Sequence, residues 1–434
     1  MELVRKLKQR QAEGNPVSVG LIGCGQMGSG LAHTINNIDG MTVRAIADID
    51  PQRGIATFRE MGVPRDAICS AETAGQLQDA LAAHRVAVTP NAELLTQAET
   101  IEANVEATGV PDVGAFIALR SIENRKPIIM LNVETDVTVG AHLNHLARKT
   151  GALYTVASGD EPGVCKMLFD QAVLMGFEVI CLGKCKNNPI DYDMTPQRCE
   201  AEARSKDMNS KILASFIDGT KTMVEMAAVS NATGLLPDRP GMHGAKVEIE
   251  DLARTFVPRE AGGIFAHRGT VEYSTGRFAP GVFAVVYTDD ARIRKDMKFI
   301  TKAEGPYYLH YRPYHLCDLE TPQSIAEAVL LHEVTVAAET MHSEVVAVAK
   351  RNLQAGARIG GIGSADIYGR IYTYAEAQKQ KAVPLGIAPG GVVTRDIAKG
   401  EVLSQTAFAP DDSTFIYKLR QQQDEWLVRE GRSA

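Results

Sequence analysis

Three charged side chains, Asp218, Lys221 and Glu225, interrupt the apolar stretch from Ile212 to Val229. Spacings of three and four put them on one face of a helix, which the pattern predicts from Lys206 to Asn231. That helix is apolar almost all round and should be buried. Charges on a buried face are costly unless they pair or meet a polar cavity. One reading is the floor of a site, with Lys221 and Asp218 moving protons or holding a substrate oxygen beside Glu225. The other is an ion-paired stripe that only fixes packing. Asn231, Thr233 and Gly234 follow closely, and methionine-rich flanks suit a pocket wall.

Other clusters have the makings of a binding site. In Gly183-Lys184-Cys185-Lys186-Asn187-Asn188-Pro189, strand alternation sets Lys184 and Lys186 on one face. With Asn188 they would hold a carboxylate or phosphate; a solvated basic turn is the alternative. Asp160 and Glu161, in Ser158-Gly159-Asp160-Glu161-Pro162-Gly163, would bind substrate hydroxyls or a metal, or cap the next helix. In Tyr311-Arg312-Pro313-Tyr314-His315-Leu316, Arg312 suits bidentate anion recognition and His315 proton transfer. His243, in Gly241-Met242-His243-Gly244, is a further candidate substrate contact. A metal signature is not evident, and a divalent-metal requirement stays open. Cys181 and Cys185 read as packing residues on one strand.

These side chains need a frame, and the N-terminal sequence supplies one. The run Val17 to Ile22 enters Gly23-Cys24-Gly25-Gln26-Met27-Gly28, then a helical segment, then Met41 to Ala47 and the acid Asp48. This is a dinucleotide-binding fingerprint in its strand–turn–helix context. Gly23 allows the tight turn, Gly25 close approach of a pyrophosphate, and Gly28 helix–strand packing; Gln26 and Met27 open the helix whose N–H groups face the phosphates. Asp48 would accept the ribose hydroxyls and repel a 2′-phosphate, so NAD(H) is expected over NADP(H), with Arg53 the residue that would oppose this. Further strand-like runs at Val86–Val88, Val105–Ala107, Pro127–Leu131 and Ala152–Ala157 alternate with helical segments and imply a parallel α/β sheet covered on both faces. Thr108-Gly109 and Asn132-Val133-Glu134 stand at strand ends where a nicotinamide ribose would pass, so Thr108, Gly109, Asn132 and Glu134 complete the predicted cofactor set.

From Gly159 the pattern becomes α+β, with strands predicted at Phe177–Gly183, Gly281–Thr288 and Pro306–Tyr311. A helix opening at Thr321-Pro322 should return to the first domain. Val345 to Gly356 is echoed by Gly391 to Leu403, each reading strand, basic, polar, aliphatic, glycine turn. This suggests a small β-rich module before a terminal helix, Asp412 to Glu430. The 434 residues call for two or three domains. A net charge of −7 argues against a general nucleic-acid binder. The absence of a bilayer-length apolar run or hydrophobic leader, with seven scattered cysteines, fits a cytoplasmic protein without membrane partners.

Taken together, the Gly23, Asn132–Thr138, Gly159–Pro162, Gly183–Pro189, Phe216–Met226 and Arg312–Leu316 motifs resemble the homoserine-dehydrogenase-like oxidoreductases with a C-terminal SAF domain. Within that group they are most similar to the deoxyxylulose 5-phosphate reductoisomerase-like enzymes. The resemblance covers nearly the whole chain. It implies a Rossmann domain over residues 1–158 with 321–335 packed back, an α+β catalytic and dimerisation domain over 159–320, an SAF-type β-clip over 341–411, and a helix over 412–434. It also implies Lys186, Asn188, Asp218, Lys221, Arg312 and His315 around a small phosphorylated sugar, and a homodimer or higher homo-oligomer. Asp48 departs from the NADPH-using members, and Val133 replaces the lysine of homoserine dehydrogenases. A dehydrogenase for another polyol or sugar acid is the related alternative, and a non-catalytic dinucleotide sensor the alternative of another class.

Overall fold

The computed structural model describes residues 2–206 and 208–431. Asp207, inside the predicted long helix, and the last three residues lie outside them. The chain divides into two compact units: Met1–Gly163 with Leu316–Glu339, and Val164–His315 with Thr340–Ala434.

In the first unit, seven strands form one parallel sheet: β1 (Val17–Ile22), β2 (Met41–Ala47), β3 (Ile68–Ser70), β4 (Val86–Thr89), β5 (Ala103–Glu106), β6 (Ile128–Met130) and β7 (Tyr154–Val156), in the order β3-β4-β2-β1-β5-β6-β7. The strand order reverses at β1, so the crevice that takes ligands in such sheets lies at the carboxyl ends of β1 and β5. Helices on the faces bury the apolar strands, as the alternating pattern predicted. Only β3 escaped that pattern, because its three residues at the sheet edge, two half-buried and one exposed, carry no period. In the segment Leu316–Glu339 of this unit, Ile325 and Ala326 join Leu21, Leu31 and Ile35 in its core. Its helix, Cys317–Ala326, starts before the predicted Thr-Pro opening and carries Pro322 inside. Asp318 and Glu320 in its first turn favour that earlier start.

The second unit is built on a mixed sheet of β8 (Glu178–Cys185), β9 (Leu236–Pro237), β10 (Thr270–Ser274), β11 (Val282–Tyr287) and β12 (Tyr307–Arg312), ordered β12-β11-β8-β10-β9. β10 was not predicted, since its five buried residues include Glu272 and three hydroxyl-bearing side chains. The single long helix expected before β9 is instead Ser210–Ile217 and Thr220–Thr233. Gly219 breaks it with φ of +85°, and a Cβ there would lie 2.5 Å from Ile190. Asp218 then accepts the Thr220 N–H at 2.8 Å, capping the second helix.

The same unit contains the predicted β-rich region. Antiparallel β13 (Ser343–Ala349) and β14 (Ile367–Thr373) lead into the two echoed segments. These pair with each other at matching positions. Leu353 and Ile397 exchange both backbone hydrogen bonds at 2.9 Å. Asp396 Oδ1 accepts the Ala355 N–H at 2.8 Å, and Asn352 Oδ1 accepts the Lys399 N–H at 2.9 Å. The internal echo is therefore a local pseudo-twofold. The terminal helix, Phe415–Arg429, buries Arg420 between Glu344 and Asp424, at 2.6 and 2.8 Å.

Candidate active site

The glycine turn after β1 is shaped by close backbone contacts. At Gly23, φ is +89° and a Cβ would lie 2.8 Å from the Ala107 carbonyl. At Gly28 a Cβ would lie 2.1 Å from the Gly23 carbonyl oxygen, so this helix can sit so low only without a side chain there. The Cβ position of Gly25 meets open space. Gly25 is the N-cap of the helix Gln26–Asn36 and offers no side-chain cap, so the first N–H groups keep their donors for a ligand. Met27 is exposed at this edge.

Asp48 also braces this turn, a role that spacing alone did not reveal. Its Oδ2 accepts the Cys24 N–H at 2.7 Å and its Oδ1 the Asp50 N–H at 2.9 Å. The open Gly25 surface, the uncapped helix and a half-buried Asp48 fit a dinucleotide, which supplies hydride transfer when bound.

At the end of β5, Thr108 donates its N–H, at 2.9 Å, and its hydroxyl to Glu106. Gly109 follows with φ of +66°. Glu106 is fully buried, and that burial pushes its carboxyl up to about 7. At the end of β6, Asn132 is 1% exposed and its Oδ1 caps the helix Val133–Thr150 through the Thr135 N–H at 3.2 Å. Glu106 Oε2 and Asn132 Nδ2 meet beside Gly114, where a Cβ would lie 3.0 and 2.8 Å from them. Asn132 thus lies behind the strand end, whereas Glu134 is half-exposed. Glu106 was missed; an acid ending an apolar run was the available signal. Asp160 and Glu161, both buried, start the helix Glu161–Leu174, and Asp160 accepts the Cys317 thiol at 3.4 Å.

In the second unit, sheet register gathers the cations. Arg312, Val282, Lys184 and Tyr273 are successive partners across β12, β11, β8 and β10. Partners in one row share a face, and two strand spacings separate Arg312 from Lys184 by about 10 Å. Lys184 Nζ meets Glu225 at 2.5 Å, with both side chains nearly buried. Lys186 lies beyond the end of β8 and donates to Asn188 Oδ1 at 2.9 Å. Burial first, and then Lys184, lower the Lys186 ammonium to about 8. Lys221 is half-buried, one turn before Glu225 on the same helix. The Arg312 guanidinium lies 4.5 Å from the Tyr314 ring centre, and His315 is half-buried just after β12.

Three predicted site residues are otherwise engaged. Asp218 lies in the break before Gly219, off the face shared by Lys221 and Glu225. Its carboxylate meets Lys350 at 2.7 Å, with both side chains buried. Lys350 also donates to the Met194 and Ser364 carbonyls at 2.8 Å each. Asn231 Oδ1 accepts the N–H groups of His342 and Ser343 at 2.8 Å, fastening the start of β13. His243 Nε2 pairs with Asp238 at 2.8 Å and lines a cleft with Arg239 and Arg370.

Residues 159–321 match the family described as Oxidoreductase DRL, catalytic domain. Joined to the glycine-turn sheet, that match defines an NAD(P)-dependent oxidoreductase. No curated protein matches the chain. Among solved structures, a protein described as a probable dehydrogenase from Thermotoga maritima is 13% identical, over 73% of this chain and 90% of its own, with a TM-score of 0.43. Scyllo-inositol dehydrogenase from Lactobacillus casei, with NAD(H) and scyllo-inositol, is 13% identical over 64% and 67%, with a TM-score of 0.33. Biliverdin reductase from Synechocystis, with biliverdin and NADP+, is 15% identical over 46% and 57%, with a TM-score of 0.28. No helix among the described residues is long and apolar enough to cross a membrane.

Proposed function

We propose that the protein reduces or oxidises a small, hydroxylated, anionic substrate, most specifically a sugar phosphate in a reductoisomerase-type reaction. The observation that carries this reading is the cationic row of Arg312 and Lys184 on one sheet face, with buried Lys186 just beyond it. Glu225 pairs with Lys184, and Lys186 and Arg312 would take the anion by charge-assisted hydrogen bonds. Lys221 would hold or protonate the reacting oxygen. Gly23, Gly25, Gln26, Met27, Gly28 and Asp48 would hold the dinucleotide. The test is nicotinamide oxidation with deoxyxylulose 5-phosphate against its unphosphorylated parent. Turnover of the phosphate alone supports the reading; turnover of a neutral polyol in preference to any anion overturns it. The resemblance brings a homodimer with it, so sedimentation at the dimer mass is expected.

We also infer NAD(H) preference. Asp48 opposes a 2′-phosphate, and its two backbone hydrogen bonds hold it in place. Arg53 is exposed and lies 3.9 Å from Asp50. Wild type should bind NAD(H) one to three decades (roughly) more tightly than NADP(H) in a fluorescence titration. Asp48→Asn keeps one acceptor and should narrow the gap. Tighter NADP(H) binding by wild type would refute this preference.

A further inference from the structure

We propose that the cleft around Arg239 and Arg370 is a second binding site, for a small phosphate monoester with a planar body. This inference is independent of the substrate reading above. The cleft encloses about 610 Å³ and is lined by Tyr192, Arg239, His243, Tyr273, Arg370 and Tyr372, among others. That volume suits a metabolite-sized ligand.

The cations of the cleft are Arg239 and Arg370. Arg239 Nε donates to the Met242 carbonyl at 3.1 Å, and Arg370 Nη2 to the Pro240 carbonyl at 3.2 Å. Among the described residues, neither guanidinium has a carboxylate within ion-pair distance. Arg370 Nε is buried without an acceptor. The nearby carboxylates are occupied. Asp238 accepts from His243 Nε2 at 2.8 Å and from the Ala266 N–H at 2.6 Å. Glu272 is fully buried and accepts the backbone N–H groups of His243, Gly244 and Tyr273. Two guanidinium groups with no carboxylate in ion-pair contact leave donors for an oxyanion, which would take them in bidentate hydrogen bonds.

The backbone is shaped to allow this gathering. Gly241, Met242 and Gly244 all have positive φ, at 79°, 62° and 62°. For methionine that conformation is unfavourable and persists only where the surroundings impose it. A Cβ at Gly241 would lie 2.9 Å from Arg370 Nε, and one at Gly244 would lie 2.1 Å from the Tyr273 hydroxyl. Tyr192 packs against Tyr368 with ring centres 4.5 Å apart, which steadies the wall. Tyrosine rings supply apolar area for a planar body, and their hydroxyls add donors. The commitment to a monoester rather than free phosphate rests on that aromatic wall.

The experiment is calorimetric titration of the full-length protein with phenyl phosphate, phenol and inorganic phosphate. Phenyl phosphate should bind at least about tenfold more tightly than either of the others. Arg370→Gln should weaken phenyl phosphate by about tenfold or more, while Lys186→Met leaves it within about threefold. Arg239→Gln, which changes an exposed side chain, gives the same reading if Arg370→Gln fails to fold. Failure of phenyl phosphate to bind at millimolar concentration overturns the proposal. So does undiminished binding by both arginine variants. Loss in Lys186→Met with retention in the arginine variants assigns the anion to the Lys184–Lys186 cluster, upholding the proposed function and rejecting this site.

Discussion

Lys186→Met should lower turnover by about two decades or more while NAD(H) affinity stays near that of wild type. Methionine keeps the length of the side chain and removes its charge, and Lys186 lies in the unit that does not carry the glycine turn. The loss should be larger for an anionic substrate than for its neutral parent. Its pH dependence follows from burial. Lys186 is charged below about 8 and loses its proton above it. Anion binding should therefore be full at neutral pH and decline as pH rises through that value, with kcat/KM falling accordingly. An ordinary exposed lysine would hold its charge about two units higher. A kcat/KM profile flat from pH 7 to about pH 9, or wild-type turnover by the variant, removes Lys186 from the mechanism.

The second large effect is on stability. Asp218→Ala leaves the Lys350 ammonium buried with only two carbonyl acceptors, and breaking such a pair costs about 3–5 kcal/mol. Lys350→Met should cost a similar amount by stranding the carboxylate. The double variant should lose less than the sum, because neither charge is then left alone. Urea midpoints of the three variants measure this. If Asp218→Ala unfolds at the wild-type midpoint yet loses turnover, the residue acts in catalysis and the pairing is incidental.

Much of this arrangement is written locally and was legible. Long apolar runs specify the strands of the parallel sheet, and the glycine turn needs only its immediate neighbours. The charged residues around Lys184 were visible as types and spacings, but their partners were not. The helix break at Gly219 turns on one left-handed glycine facing Ile190, and helical periodicity continues undisturbed on either side. The partner of Asp218 is contributed by the residue just after β13, far along the chain. Asn231 looked like a pocket amide because its use in fastening β13 depends on tertiary contact. β10 was hidden by Glu272, whose buried carboxylate is tolerable only because three N–H groups converge on it. Burial sets that carboxyl at about 7, which no reading of neighbours along the chain could supply.

The reciprocal caps of Asn352 and Asp396 make the two echoed segments each other's partner. Each echoed segment presents both the acceptor its counterpart needs and the N–H its counterpart's acceptor seeks, in the self-complementary manner of a twofold interface. Joining two such halves in one chain fixes the partner. It also releases each half from having to match itself, so an amide can stand on one side of the axis and a carboxylate on the other. The module thus carries a twofold-type contact inside one chain, closed by two reciprocal hydrogen bonds.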